Sequence, residues 1–281
     1  MLSIPARHSS RHSSRHPIAS HRTMSAPMPQ PTSSLVSNIL SSTFEQRCFS
    51  ITLEALKPID ESSTTQDVYR ANLRGTPVVV KRIPAISPYD VSTGVQTLYQ
   101  MRHPNIALFM GAGLGDDGNV YLVSEHLERG NLRDLMAIKS LSWRNDFSSL
   151  LVQVCHAMMY LHAKSLRAGS NVLTTSNVCV ARNWTAKLVD VDSIQRRAYG
   201  QEWIAPEVLQ GGSYSVRSDL YSFGVILKKL CLTLPVPVSM EALYLECLDA
   251  DPCARPPFSM VVKLIEQSKA EVQPEPTLVE L

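Results

Sequence analysis

The chain has 281 residues, of which 44% are hydrophobic and 19% are charged, and its formal net charge is +2. This composition is too apolar for a disordered protein, and the length suffices for a large core or for two lobes. Residues 1–44 hold four Arg and no Asp or Glu, which leaves 23 basic and 25 acidic residues in the remainder. The nearly neutral remainder argues against nucleic-acid binding as its main task. No run of 18 apolar residues occurs, so no membrane span is expected.

Residues 1–44 form a low-complexity segment that contains the repeat RHSSRHSSRHP. Such a segment buries too little apolar surface to offset its chain entropy, so we expect a disordered tail rich in Arg, Ser and His. Its composition also fits an organelle transit peptide, or an arm that binds RNA or an acidic surface. Six cysteines without a CxxC pair favour a reduced, cytoplasmic location, with organelle targeting by residues 1–44 as the alternative.

Strands are predicted in the first half of the chain that follows this tail. Val68–Ala71 and Val78–Lys81 are rich in β-branched residues and flank a turn at Arg74–Pro77. Asn119–Val123 predicts another strand after a turn rich in Gly and Asp. From residue 130 onward the apolar spacing becomes helical, with one long stripe over residues 147–161. Shorter helices, each with a serine as N-cap, are predicted over Ser218–Leu230, Ser239–Leu248 and Ser259–Gln267.

Eight segments occur in an order and at spacings that resemble a protein kinase, and within that superfamily the tyrosine-kinase-like serine/threonine group. The resemblance covers about residues 55–268 and implies an α+β, bilobal kinase fold. It divides the chain into the tail (1–44), an N-lobe with a small antiparallel sheet (45–127), a mainly helical C-lobe (128–268) and an acidic C-terminal tail (269–281). The segments are VVVK (78–81), RHPNIALFMGA (102–112), LVSEHLERGNL (122–132), YLH (160–162), NVCVARNWTAKLVDVD (177–192), WIAPEVL (203–209), SDLYSFGVIL (218–227) and DADPCARPPF (249–258).

Structural anchors of the family are retained. The resemblance implies that Glu207 and Arg255 form a buried ion pair, which ties the activation segment to the C-lobe. It also implies that Asp219 braces the catalytic loop. Loss of one partner of a buried pair costs about 3–5 kcal/mol, so retention of these residues suits a chain that still folds as a kinase.

The phosphate-binding part departs from the family. Where the resemblance implies a Gly-rich loop, residues 59–67 contain three acids and no glycine, and Asp67 and its neighbours are expected to repel a triphosphate. Lys81 matches the phosphate-binding lysine, but Gly94 stands at the position of its glutamate partner. Asp90 is the one acid in that helical segment, so a Lys81–Asp90 pair is the alternative to a lysine without a helix partner.

The general base of the family is missing. Counting back from Asn177 puts Ser170, Asn171 and Val172 where the family has His-Arg-Asp, so Val172 occupies the base position. No Asp or Glu occurs anywhere between Leu161 and Val189. Because a general base contributes about 10²–10⁴-fold to a rate, no catalytic residue is expected here.

Other positions of the family's ATP site survive in part. Asn177 and Asp190 match the two Mg²⁺-binding positions. Lys81, together with the hinge residues Glu125 and Leu127, completes the set that the resemblance implies for nucleotide binding.

The adenine position itself is altered. The family's alanine above the ring is replaced by Val79, and the leucine below it is replaced by Cys179. Extra methyl groups in a tight site cost about 1–3 kcal/mol, so we expect the cleft to be collapsed and empty, with binding of ATP and Mg²⁺ as the alternative.

Deletions affect the parts that contact substrates. Ten residues separate Asp192 from Trp203, which is short for an activation segment. Eight residues separate the predicted helix over Ser218–Leu230 from Ser239, where the resemblance implies a further helix that helps to dock substrates. We therefore expect a C-lobe that lacks one helix.

Together these departures predict a pseudokinase, a kinase-like domain without catalysis that acts in signalling as a scaffold or an allosteric regulator and requires no cofactor. The alternatives are a weakly active or ATP-binding atypical serine/threonine kinase, and a switch that senses nucleotide without transferring phosphate. The expected partners are proteins, with an active kinase as one option, and the folded domain is expected to bind no nucleic acid.

Overall fold

The computed structural model of the chain describes residues 48–51, 57–58, 67–83, 88–115, 117, 119–165, 172–191 and 200–271. Within them a strand-rich N-lobe precedes a helical C-lobe, which confirms the α+β, bilobal fold expected from the sequence. The boundaries expected for the two tails stay predictions. None of the described helices is both long and apolar enough to cross a membrane.

The described part of the N-lobe contains six strands and one helix. The strands are β1 (Cys48–Ile51), β2 (Lys57–Pro58), β3 (Val68–Leu73), β4 (Thr76–Ile83), β5 (Phe109–Gly115) and β6 (Val120–Glu125), and the helix is α1 (Pro88–Gln100). They form one sheet in the order β1-β5-β6-β4-β3-β2. Neighbouring strands are antiparallel except for β1, which pairs in parallel with β5. The antiparallel N-lobe sheet that was expected is confirmed, and the pairing of β1 with β5 adds a parallel edge to it.

The hairpin between β3 and β4 places Lys81 on a central strand. Arg74 and Gly75 have φ angles of 50° and 88°, the left-handed pair that a type I′ hairpin turn requires. The side-chain oxygen of Asn72 accepts a hydrogen bond from the Gly75 N–H at 2.6 Å and holds the turn closed. Because β4 pairs with β3 on one side and β6 on the other, Lys81 is fixed within the sheet.

The C-lobe is built from helices and a two-stranded sheet. Its elements are α2 (Leu132–Leu135), a π-helical turn (Trp143–Phe147), α3 (Ser148–Ala163), β7 (Val178–Val180), β8 (Ala186–Leu188), a 3₁₀ turn (Gln201–Trp203), α4 (Pro206–Leu209), α5 (Val216–Thr233), α6 (Val238–Cys247) and α7 (Phe258–Glu271). Helix α3 packs against α7 and β8, and α5 packs against α6. The indole of Trp143 donates a hydrogen bond to Ser268 at 3.0 Å and ties α7 to the start of α3.

The predicted serine N-caps are wrong for three helices. Helix α5 is capped by Ser215, and Ser218 belongs to its capping box rather than being the cap. The carbonyls of Pro237 and Pro257 accept the first hydrogen bonds of α6 and α7, so these helices begin before the predicted serines. The reason is that proline has a φ that already suits a helix entrance and needs no side-chain cap there.

Only residues 234–237 join α5 to α6. The C-lobe therefore lacks a helix between them, as the sequence predicted. Strand β5 was missed, because its glycines at positions 111, 113 and 115 lower the strand propensity of the segment.

Candidate functional site

A cavity of about 500 Å³ opens between the two lobes. Residues of β3, β4 and β6 line it from the N-lobe, and residues of β7, β8 and the segment that follows β8 line it from the C-lobe. The volume falls within the range of roughly 300–1,000 Å³ that is typical of small-molecule sites.

The expectation of a collapsed cleft is therefore wrong. Val79 and Cys179 both line the open cavity, one from each lobe. A valine adds volume to the N-lobe wall, but a cysteine in place of a leucine removes volume from the C-lobe wall. Because exchanges that conserve total volume are tolerated best, the two replacements together leave the cleft open.

Lys81 and Asp190 meet at the inner end of the cavity. The Lys81 ammonium lies 3.1 Å from a carboxylate oxygen of Asp190, and both side chains are largely buried. Asp190 has a φ of 56°, a left-handed backbone that is uncommon outside glycine and is found at functional sites more often than elsewhere. The structure thus brings together two of the residues that the sequence singled out.

The hinge residues Glu125 and Leu127 also line the cavity. The Glu125 carboxylate accepts hydrogen bonds from the Lys187 ammonium and the Leu108 N–H, both at 2.6 Å. This side chain is therefore held by strand β8 of the C-lobe. A ligand would meet Glu125 and Leu127 mainly through their backbones.

Asn177 lies beneath the cavity rather than on its wall, and its side chain organises the loop before β7. Its amide nitrogen donates to the Val172 carbonyl, and its amide oxygen accepts from the Thr174 N–H, both at 2.8 Å. The Val172 side chain, which was assigned to the base position, is only 1% exposed and belongs to the core. Residue 172 therefore offers its backbone carbonyl to Asn177, and its side chain has no group that could accept a proton from a substrate.

The oxygen donors of Asp190 and Asn177 are of the kind that Mg²⁺ takes. Both groups already have protein partners, Lys81 for Asp190 and the loop backbone for Asn177. Asn177 does not line the cavity and its amide is hydrogen-bonded to the loop backbone, so a Mg²⁺ site formed by these two residues stays a prediction. When bound, such an ion would neutralise phosphate charge. Within the described residues, no three His, Cys, Asp or Glu side chains converge as a metal site of their own.

The walls of the cavity carry balanced charge. Arg70, Lys81 and Arg133 face Glu125, Asp134 and Asp190 around it. Burial, with a contribution from Arg70, lowers the pKa of His126, so this hinge imidazole is neutral near pH 7. Burial raises the pKa of the Cys179 thiol to about 12, which keeps it protonated and unreactive.

The model of the protein tyrosine and serine/threonine kinase family matches residues 62–238, which is more than half of the chain. The chain belongs to this family. This kinase domain is 29% identical over 240 residues to a probable serine/threonine-protein kinase of Dictyostelium discoideum, an alignment that covers 72% of the chain and 23% of the relative.

Two further relatives come from a plant and an animal. The domain is 29% identical over 254 residues to the serine/threonine-protein kinase CTR1 of Arabidopsis thaliana, with 74% of the chain and 31% of the relative covered. It is 27% identical over 227 residues to the dual specificity testis-specific protein kinase 1 of Rattus norvegicus, with 65% and 35% covered. The chain thus spans about a quarter to a third of the length of these relatives.

The structural anchors of the kinase domain are in place. Two nitrogens of Arg255 donate to the two carboxylate oxygens of Glu207, each at 2.8 Å, which confirms the predicted ion pair. The same guanidinium donates to the carbonyls of Asp249 and Arg217. Asp219 is buried and lies 2.7 Å from the His162 ring. Asp219 therefore holds the end of α3, while the loop residues 166–171 lie outside the described residues.

The residues expected at the phosphate end of the site are Asp67, Gly94 and Asp90. Asp67 was expected to repel phosphate, but its carboxylate lies 2.7 Å from Arg82 and is not among the residues that line the cavity. Gly94 is buried within α1, at the place where the glutamate partner was expected. The side chain of Asp90, the suggested substitute, and residues 59–66 lie outside the described part of the chain.

Sequence reasoning missed several residues around the cavity. Lys187 was not singled out, although its alternation with the buried Ala186 and Leu188 on β8 could have placed it towards the hinge. Asp134 and Arg133 follow the hinge in the first turn of α2 and line the cavity mouth. Their only sequence signal was the capping residue Asn131 just before them.

Proposed function

We propose that this kinase domain is a pseudokinase of the tyrosine-kinase-like group, which transfers no phosphate and acts as a scaffold or an allosteric regulator in signalling. The observation that carries the proposal is Val172. The resemblance assigns this residue to the base position, its carbonyl accepts a hydrogen bond from the Asn177 amide, and its side chain is buried in the core.

Loss of the base is costly for phosphoryl transfer. The acceptor hydroxyl would have to lose its proton without a positioned carboxylate, which removes about 10²–10⁴-fold of rate. The chain has no Asp or Glu between residues 161 and 189, so no neighbour in this stretch can replace the missing group. Gly94 on α1 and the absent helix between α5 and α6 add to the same interpretation.

A phosphotransfer assay on the purified full chain tests the proposal. ATP is supplied with Mg²⁺ or Mn²⁺, together with a generic protein substrate. We expect a signal equal to that of the matched Lys81→Met variant, because neither protein performs the transfer. Turnover in the wild type that Lys81→Met or Asp190→Asn abolishes would contradict the proposal and favour a weakly active serine/threonine kinase.

Nucleotide binding without transfer is the second candidate, and the open cavity favours it. Lys81 would meet the phosphates, the backbones of Glu125 and Leu127 would meet the base, and Asn177 and Asp190 would hold Mg²⁺. A ligand that binds only the folded state raises its melting temperature. We expect ATP with Mg²⁺ to raise the melting temperature of the wild type and to have no effect on Lys81→Met. An unchanged wild type would indicate a scaffold that does not use nucleotide.

The proposed partners are proteins, and an active kinase is one option. The proposed location is cytoplasmic, with targeting by residues 1–44 as the alternative. If the domain proves active, the names of its relatives favour serine or threonine hydroxyls as acceptors.

A further inference from the structure

Helix α6 is apolar on two opposite faces. Met240, Leu243 and Cys247 form its buried face and belong to the C-lobe core. Residues in an α-helix are rotated by about 100° from one to the next, so residues 238, 242 and 245 share the opposite side. The residues there are Val238, Ala242 and Leu245, all exposed. We call these three residues the outer stripe.

The outer stripe lies where exposed apolar side chains are concentrated. Among the large hydrophobic residues of the described chain, the most exposed are Val238 at 80%, Leu232 at 74% and Leu245 at 61%. All three fall between the end of α5 and the end of α6. Helices that are apolar all round are normally buried, and exposed apolar patches mark interaction sites.

The connection between α5 and α6 explains why the outer stripe is uncovered. Residues 234–237 are too few to form another helix over it. The core face of α6 already satisfies the packing of the domain, so the stripe adds nothing to the stability of the isolated chain. Apolar side chains kept at these positions therefore need a partner to become buried.

Charge on either side of the outer stripe restricts that partner. Glu241 and Glu246 are exposed and, by helix geometry, border the stripe on opposite sides. In a dimer formed through α6, the glutamates of the two copies would lie close together and repel each other. An anionic lipid surface would repel them as well. A helix whose apolar stripe is bordered by Lys or Arg would match both the shape and the charge, as in paired helices with charged flanks.

We propose that the outer stripe of α6 docks an amphipathic helix of a partner protein, with basic side chains that border the apolar residues of that helix. Apolar burial supplies the affinity, and pairing with Glu241 and Glu246 sets the specificity. The inference goes beyond the proposed function, because it holds whether or not the cleft binds nucleotide.

Two synthetic helical peptides of about 20 residues test the inference on the full chain. Both carry a leucine stripe, which is bordered by lysine in one peptide and by glutamate in the other. Fluorescence anisotropy measures binding of each labelled peptide. We expect the lysine-bordered peptide to bind, with an affinity that falls as salt is raised, and the glutamate-bordered peptide to bind at least about tenfold more weakly.

Variants locate the binding on α6. Leu245→Gln is expected to weaken binding of the lysine-bordered peptide by at least about tenfold, because it removes the largest apolar side chain of the outer stripe. The double variant Glu241→Lys, Glu246→Lys should reverse the preference and bind the glutamate-bordered peptide. Ile138→Gln, which changes an equally apolar exposed residue elsewhere on the C-lobe, is the matched control and should bind as the wild type does.

Three outcomes would overturn the inference. One is binding of the lysine-bordered peptide that Leu245→Gln leaves unchanged. Another is a dimer of the free chain, detected by light scattering, that Leu245→Gln dissociates, since the occupant would then be a second copy. The third is the absence of any binding by either peptide to a wild-type chain whose circular dichroism shows it to be folded. None of these depends on the phosphotransfer result.

Discussion

At the scale of single residues, the proposal that this domain transfers no phosphate depends most on Val172. A valine is stable where apolar neighbours surround it, and the loop places residue 172 in such surroundings. The backbone of the same residue still accepts the Asn177 amide, so the loop keeps its shape without the carboxylate. The described backbone of this loop therefore accommodates a valine, whose buried apolar side chain offers no proton acceptor.

Restoring an acid at residue 172 is expected to destabilise the fold instead of creating an active site. Val172→Asp would bury a carboxylate among core residues without a cation, at a cost of at least about 2 kcal/mol in the free energy of unfolding. Val172→Thr, of nearly the same shape, is the matched control and should lose less. Urea denaturation measures both. An aspartate variant as stable as the wild type, with new phosphotransfer, would show that the side chain can reach the cleft.

The ion pair between Glu207 and Arg255 is the strongest electrostatic anchor at this scale. Arg255 has no exposed side-chain surface, so Glu207→Gln would leave a buried guanidinium without its charge partner. We expect the free energy of unfolding at pH 7 to fall by about 3 kcal/mol, the lower end for a broken buried pair, because Glu207 is partly exposed. Denaturant titration measures the free energy of unfolding of Glu207→Gln and of the control Glu246→Gln, which changes an exposed glutamate. Equal losses of stability in the two variants would contradict the prediction.

The same pair makes stability depend on pH. Hydrogen bonds from Arg255 hold the pKa of Glu207 below its usual range. A carboxylate with a lowered folded pKa contributes fully above its unfolded pKa of about 4.3, and the contribution is lost as the pH falls through the folded value. The stability difference between the wild type and Glu207→Gln should therefore shrink over the acid interval below about pH 5. A difference that stays constant over this interval would argue against the ionic origin.

At the scale of elements, helix ends differ in what holds them. The hydroxyl of Ser215 accepts hydrogen bonds from the Arg217 and Ser218 N–H groups at the start of α5. Ser239, at the start of α6, has a buried hydroxyl without a hydrogen-bond partner. Two serines near the starts of neighbouring helices thus differ in hydrogen bonding among the described residues.

Alanine substitutions distinguish the two serines. Ser215→Ala is expected to lower the free energy of unfolding by about 1 kcal/mol, because two N–H groups lose their acceptor. Ser239→Ala should be neutral or slightly stabilising, since it removes a buried hydroxyl that is not hydrogen-bonded. Thermal and denaturant unfolding of the two variants check the order. A larger loss for Ser239→Ala would mean that its hydroxyl has an acceptor in solution.

At the scale of the whole molecule, the segment before β5 joins the two lobes. The Asn105 side chain donates to Ala186 of β8 at 2.9 Å and to Gln153 of α3 at 3.1 Å. The backbones of Asn105 and Ala107 pair with Leu188. The segment before β5 therefore pairs with strand β8 and extends the small sheet of the C-lobe.

Asn105→Ala is expected to loosen this junction. The buried carbonyl of Ala186 would lose its donor, at a cost of about 1–3 kcal/mol in the free energy of unfolding. Hydrogen exchange should increase at β7 and β8 more than at α5 and α6, because the change is local to the junction. Asn145→Ala, at an exposed position of the π-helical turn, is the matched control. Uniform acceleration across the C-lobe would show that the junction does not act locally.

The amino-acid sequence by itself determined the family, the order of the two lobes and the missing helix, and it predicts the loss of the general base. Each of these depends on residue identity and spacing along the chain, which motifs such as WIAPEVL and DADPCARPPF preserve. The partner of Arg255 was predictable for the same reason, because both members of the pair lie in retained motifs.

Only the tertiary structure decided the state of the cleft and the faces of α6. Cavity volume depends on pairs of residues from different lobes, and Val79 and Cys179 are 100 positions apart in the chain. Two ion pairs likewise form only through folding, so no local sequence pattern predicts them: Lys187 with Glu125, and Arg82 with Asp67. The outer stripe of α6 became visible only when the fold had assigned the opposite face to the core. A sequence pattern reports which residues a helix carries, whereas packing decides which of its apolar faces is left in water.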